Sequence, residues 1–295
     1  MKRGTAFLAA LALAFSTWGV AQEQTEPPSP AKNLPFDIGE RLVYDVSWMG
    51  IKGGEAFLYI KNQLEMADST VFAVNLIARS TGWLRTFYKV DDHSFSYFDA
   101  VNIRSLGVDI KISEGDYRKS KVIEFDHKRN VAIYKVDNDK PEEYPAYHNS
   151  HDSFSALYAF RSMRDKIKIG ESVMIPVFDD RKKYELEIKT LRKERITLDS
   201  GAMIDTVVVE PQLKSEGIFQ RRGSMTVWFS DDKVFAPVQV KSKIVIGAFY
   251  ARLREWRGAD INVIAPAGAA NAAQPGGAPS NARKEIHDTP GAGSN

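Results

Sequence analysis

The chain has 295 residues, 43% of them hydrophobic, enough for one large domain or two small ones with a buried core. Its 40 basic residues stand against 38 acidic ones, and without the two cations of the leader, Lys2 and Arg3, the balance is zero. Net charge therefore gives no argument for nucleic acid or for an anionic membrane surface. The absence of cysteine excludes disulfides, thiol catalysis and thiolate metal sites.

The beginning of the chain reads as a secretory signal over residues 1–21. Lys2 and Arg3 form the charged region, Thr5 to Phe15 is apolar, and Gly19-Val20-Ala21 places small residues where a signal peptidase reads, so the mature chain is expected to begin at Gln22. The apolar run is too short to span a bilayer comfortably, so no membrane-spanning segment is expected after cleavage. No Cys follows it to carry a lipid. An exported protein without disulfides fits the bacterial periplasm or secretion from a bacterium. Residues 22–35 are Pro-rich and polar and read as a disordered linker, and residues 264–295, mostly Ala, Gly, Pro and Asn, as a disordered tail. That leaves 36–263 as the ordered domain.

Within it, strand periodicity dominates. Leu42, Tyr44, Val46 and Trp48 alternate with polar residues, Gly50 to Gly54 reads as a turn, and Glu55 to Asn62 returns as the second arm of a hairpin. A third strand spans Thr70 to Arg79. Trp83, Leu84, Phe87 and Tyr88 then fall at helical spacing, with Ser80 or Thr81 as cap, and predict a short helical excursion. Strand patterns resume at Asp92 to Phe98, Arg104 to Ser113, Tyr117 to Phe125 and Val131 to Val136, followed by a loop over Pro141 to Ser150. Asp152 or Ser153 caps the clearest helix, 152–164. Strands follow at Ser172 to Phe178, Tyr184 to Ile188, Arg195 to Leu198 and Met203 to Glu210, and Pro211 to Gly223 reads as a second excursion. Ser224 to Trp256 closes the domain as a sheet in which Val238, Val240, Ile244 and Ile246 share the buried parity. An internal echo relates Phe98 to Phe229 and Gly115 to Gly247, and predicts two similar halves, 36–150 and 165–263, joined by the helix. The expected fold is mainly β: a curved antiparallel sheet or half-barrel with one connecting helix and one short helical excursion.

Three stretches carry a family likeness. They are Pro35-Phe36-x-x-Gly39-Glu40-Arg41-Leu42-x-Tyr44-Asp45-Val46-x-Trp48 with Gly50-Ile51-x-x-Gly54, then Asp152-x-x-Ser155-Ala156-Leu157-Tyr158-x-x-Arg161, and Trp228-Phe229-Ser230-Asp231-Asp232 with Pro237. In this order they resemble the bacterial domain-of-unknown-function family numbered thirty-one zero eight. The resemblance implies an exported, β-rich envelope protein and supplies no catalytic residues.

The residues themselves suggest little chemistry. His148 and His151, beside Asp152, are the only histidine cluster and a candidate metal site, set against the simpler role of Asp152 as a cap. Asp91-Asp92, Asp179-Asp180 and Asp231-Asp232 lie at strand ends, where Asp organises turns. No phosphate loop or nucleophile elbow occurs, and no cofactor is expected. Large aromatic side chains are in surplus. Trp48 and Trp228 fit sheet core, whereas Trp83, Leu84, Phe87, Tyr88 and Phe219 lie in the excursions and are the candidate ligand contacts. The function expected is a non-enzymatic envelope carrier holding a lipid or hydrophobic peptide against the curved sheet. The alternatives are an assembly factor acting through an envelope protein partner and a hydrolase of envelope polymers.

Overall fold

The structure is a computed structural model that describes residues 34–66, 69–215, 218–219, 224–244, 246–258 and 260–263. The expected signal, almost all of the linker and the expected tail lie outside the described residues. The first half of the chain forms β1 (Arg41–Trp48), β2 (Ile51–Met66), β3 (Ser69–Ser80), α1 (Gly82–Phe87), β4 (Asp91–Asp99), β5 (Arg104–Glu114), β6 (Tyr117–Asp126), β7 (Val131–Val136) and β8 (Glu142–Pro145). Helix α2 (Ser153–Ser162) leads into the second half: β9 (Ser172–Asp179), β10 (Lys182–Thr197), β11 (Met203–Ser215), β12 (Ile218–Phe219), β13 (Met225–Ser230), β14 (Pro237–Lys243) and β15 (Ala248–Arg257).

All neighbours pair antiparallel in one sheet of order β8-β7-β6-β5-β4-β3-β2-β1-β15-β14-β13-β11-β10-β9, with β12 appended to β11. Each half is a meander, and the two meet where β1 pairs with β15. The echoed positions fall on corresponding places: Phe98 and Phe229 close to the ends of β4 and β13, Gly115 and Gly247 in the turns that follow β5 and β14. The sheet curls until its two edges approach, without closing into a barrel. One residue bridges the gap: the His151 N–H donates to Pro176 O at 2.8 Å and the Phe178 N–H donates to His151 O at 2.9 Å. Phe178 then packs into the cluster of Val108, Ile123, Ala132 and Tyr134 on the opposite wall.

Several boundaries differ from the sequence reading. The β1–β2 turn is only Met49-Gly50, both at positive φ, the geometry of a two-residue hairpin. Gly53 and Gly54 therefore lie inside β2 rather than in the turn. The expected loop at Pro141 to Ser150 contains β8, whose Glu142 and Glu143 hid it; as an edge strand it needs a partner on one side only. Tyr184 to Ile188 and Arg195 to Leu198 are one strand, because a bulge at Leu191 lets the charged stretch between them stay paired. Pro211 does not start an excursion. It continues β11 opposite Ile188, at a point where β13 no longer pairs and its missing N–H is not needed. Ile244 and Ile246 do not join the buried face: β14 ends at Lys243 and both are exposed in the turn.

Helix α2 fills one end of the curl, which we term the lower end. Its buried face, Ala156, Tyr158, Ala159, Phe160 and Arg161, packs on both halves. Tyr158 stacks on Phe98 and meets Phe36 edge-on, while Phe160 meets Phe229 and Phe235. Asp152 is the N-cap: one carboxylate oxygen accepts from the N–H groups of Phe154 and Ser155, and the other from the hydroxyls of Ser96 at 2.8 Å and Ser105 at 2.6 Å. At the far end Arg161, fully buried, forms a fork on Glu40 at 2.6 and 2.7 Å. Its remaining donors reach Phe235 O, Val234 O and Pro35 O. The first, central and last family-like stretches thus converge on one guanidinium.

Deleting one member of such a pair leaves a charge buried without a counter-ion, at a cost of about 3–5 kcal/mol, whereas a well-packed apolar pair is often tolerated. Arg161→Ala is expected to lower unfolding free energy in urea by about that amount. The double substitution Glu40→Leu/Arg161→Met is expected to lose much less, so the two chevrons or equilibrium curves report whether the cost is the orphaned charge.

Candidate functional site

α1 forms where expected, but with Thr81 at the N-cap making no side-chain cap bond; the Ser80 hydroxyl accepts from the Val90 N–H instead. None of its residues is buried. Trp83 is 44% exposed, Phe87 81% and Tyr88 46%, so these rings neither line the interior of the sheet nor sit in a dry core. Leu84 is part buried and occupies the space that a side chain at Gly53 would need. Phe219 lies in β12, opposite Lys214, at the same end of the sheet as α1. The excursion residues therefore sit at the upper end, opposite the α2 plug.

Above the plug the concave face changes character. Val46, Ala56, Leu76, Ala78, Ile110 and Ala251 share the inward parity of Leu42, Leu58, Val74, Val108 and Leu253, yet all six stay part exposed. Three of them are alanines, where the same face lower down carries leucines and aromatic rings. Above the plug the inward face of β1–β5 and β15 is thus covered less completely than below, although Ala56, Leu76 and Ala251 still pack against the core layer over α2. Polar groups interrupt this face: Asp92, Ser94 and Ser96 of β4 stand opposite Ala78, Leu76 and Val74, and the Lys121 amine opposite Ile110 lies 3.7 Å from Asp180. At the lower end a second cleft, of about 200 Å3, is lined by Arg164, Asp165, Lys193, Asp231 and Asp232 with Ile167 and Phe235. It is smaller than most small-molecule sites and densely charged, which suits no apolar ligand.

The upper end also gathers the exposed apolar side chains. Of the thirteen large ones that are exposed among the described residues, ten lie there: Met49, Ile51, Trp83, Phe87, Tyr88, Tyr117, Met225, Ile244, Ile246 and Phe249. They are held by strand-end geometry. The Trp48 indole donates to Ile246 O at 3.1 Å and that of Trp83 to Lys52 O at 3.0 Å. Met49 reaches over Gly247, which has φ +79° and a Cβ position only 2.7 Å from the Met49 side chain, so a larger residue has no place there. Trp48, expected in the core, is instead part exposed at this rim, while Trp228 is buried as expected. Burial, together with Asp92, raises the carboxyl of Glu114 above its usual range, and this group accepts from the Tyr88 hydroxyl at 3.4 Å.

The histidines do not assemble. His148 is exposed, whereas His151 is buried, shares a hydrogen bond with Ser155 at 3.2 Å and uses its backbone to bridge the sheet edges. Among the described residues no group of three or more His, Asp or Glu is placed to hold a metal ion. Of the paired acids, Asp232 organises its turn, accepting from Val234 N–H, Phe235 N–H and the Ser230 hydroxyl, whereas Asp92 lies in β4 and accepts from the Ser113 N–H of β5. No helix among the described residues is long and apolar enough to cross a membrane. The rim was missed in the sequence because alternation assigns faces, not ends. A signal was present in the apolar residues standing at turns, Met49, Ile51, Ile244 and Ile246, where polar residues are usual.

The model of a family described as a protein of unknown function, DUF3108, matches residues 43–254. Among solved structures the chain is similar to a β-barrel-like protein of the DUF1849 family from Brucella abortus, with a TM-score of 0.50 at 8% identity, covering 77% of this chain and 99% of that one. It is also similar to a candidate exported protein with a YmcC-like fold from Bacteroides fragilis, with a TM-score of 0.35 at 10% identity over 76% and 98% of the two chains. The first likeness shows the fold alone, and the second is too loose to bear on it. No curated protein matches the chain.

Burial, with the charge of His127 second, lowers the His151 imidazole from its ordinary value of 6.5 to about 4. The unfolded chain regains the ordinary value and binds the extra proton first. Stability from this group is therefore complete above its unfolded value and is lost as pH falls toward the folded one. The shift corresponds to roughly 3 kcal/mol at most. His151→Gln is expected to flatten the acid loss of stability by roughly 2–3 kcal/mol between neutral pH and about pH 4, read as the change in wild-type-minus-variant unfolding free energy.

Proposed function

The chain belongs to the DUF3108 family, and we propose that it is a non-enzymatic carrier of the bacterial envelope which shelters an apolar ligand, a lipid chain or hydrophobic peptide, in the upper concavity of its half-barrel. The observation that carries this reading is the ring of inward-facing apolar side chains that remain part exposed above the α2 plug. A sheet that only needed a core would fill that space with larger residues, as it does below. The leader at residues 1–21 supports an envelope location. The original ligand contacts shift accordingly. Trp83, Phe87 and Tyr88 stand at the entrance, and the wall residues Ala56, Leu76, Ala78 and Ala251 make the contact surface.

Sheet-edge pairing with a partner is the weaker alternative. The β8 edge is short and carries Glu142 and Glu143, and the β9 edge is occupied by His151.

Native mass spectrometry of gently purified mature protein is expected to show a bound lipid or peptide, and the stripped protein to bind a hydrophobic dye. Ala78→Phe/Ala251→Phe, which fills the concavity from two walls, is expected to weaken dye binding by at least about ten-fold with the fold retained. A protein that carries no ligand and binds no dye would sink the carrier reading.

A further inference from the structure

The rim is more than an entrance. We propose that it docks on an anionic lipid bilayer, with the turn tips seated among the headgroups and the concavity opening toward the lipid. The tips carry Trp, Tyr, Phe, Met and Ile on short, backbone-anchored turns, the side-chain set that partitions to a membrane interface. The Trp48 and Trp83 indole N–H groups are already satisfied by backbone carbonyls, so neither indole is stranded when the tips are seated.

Charge selects the occupant. The tip segments 49–53, 81–90, 114–118 and 243–249 hold five cations, Lys52, Arg85, Lys89, Arg118 and Lys243, against two carboxylates, Glu114 and Asp116, with a third, Asp92, beside Glu114. Among the described residues, Lys52 alone of these cations is ion-paired, with Asp45 and Glu55; Arg85 and Arg118 spend their described hydrogen bonds on backbone carbonyls. Glu114 is turned toward Tyr88. The near-neutral balance of the whole chain hides this local excess. An apolar rim studded with cations matches a surface of acidic headgroups. It does not match a second copy of itself, since an isologous contact would set these cations against each other.

Docking does not require the concavity to be occupied, so the experiment reads the two separately. The mature protein is floated with phosphatidylglycerol-containing vesicles and with neutral phosphatidylcholine vesicles, while native mass spectrometry follows its bound ligand. Flotation with the anionic vesicles is expected, and it should weaken as salt rises. Phe87→Asp/Ile246→Asp, both exposed and so harmless to the fold, is expected to reduce it by at least about ten-fold. Lys89→Glu/Lys243→Glu is expected to abolish the preference for anionic over neutral vesicles, with its ligand content unchanged. No flotation, or flotation equal in all variants, overturns the proposal. So does a dimer in sedimentation that Phe87→Asp/Ile246→Asp dissolves, which would make the rim a contact between copies.

Discussion

The structure hangs on the buried pair of Arg161 and Glu40. Arg161 leaves the last turn of α2 and reaches a carboxylate at the entrance to β1, with carbonyls from the β13–β14 loop and from Pro35 completing its shell. The rings of Phe36 and Tyr158 lie 5.1 and 5.3 Å from the guanidinium. Such a site is unforgiving of geometry, because each donor removed from water must meet an acceptor. It therefore fixes the helix against both halves of the sheet at once, while Asp152 fixes the other end of the helix to β4 and β5.

Consequences for shape follow from where that anchor sits. A sheet of fourteen strands, two meanders joined where β1 pairs with β15, has two edges and a strong tendency to curl. The plug sets the radius of the curl at the lower end and lets His151 bridge the edges there. Toward the upper end α1 stands at the rim with none of its residues buried, and the inward face falls back on small and part-exposed residues. One constraint thus produces a filled end and an open end. The apolar turn tips, the cations among them and the part-exposed inward face share the second, which is why the proposed carrier and docking roles point in the same direction.

Much of this could be read along the chain. Alternation located most strands, because one buried and one wet face is a local pattern, and the cap and spacing at Asp152 located α2. The failures were also physical. The strand β8 was hidden by two glutamates that an edge tolerates, and β11 was cut short at a proline whose missing N–H faces no neighbour. Ile244 and Ile246 kept the buried parity of Val238 and Val240 but lie beyond the end of the ladder. At the site, α1 and its exposed rings were identified correctly as an excursion. The alanines of the concave wall drew no notice, since a small apolar residue on a strand looks the same whether it packs or leaves a space.

The sequence by itself determined the β architecture, the single long helix with its cap, the family and the lack of sulfur chemistry. All of these depend on local period, residue type or motif. Only the tertiary structure decided that Glu40, Arg161 and the carbonyls of Val234 and Phe235 meet, that three apolar turn tips and α1 stand at one end, and that scattered cations gather there in a chain of near-zero net charge. Those are relations between residues as many as two hundred positions apart, set by strand register and curl, and no local pattern in the chain encodes them.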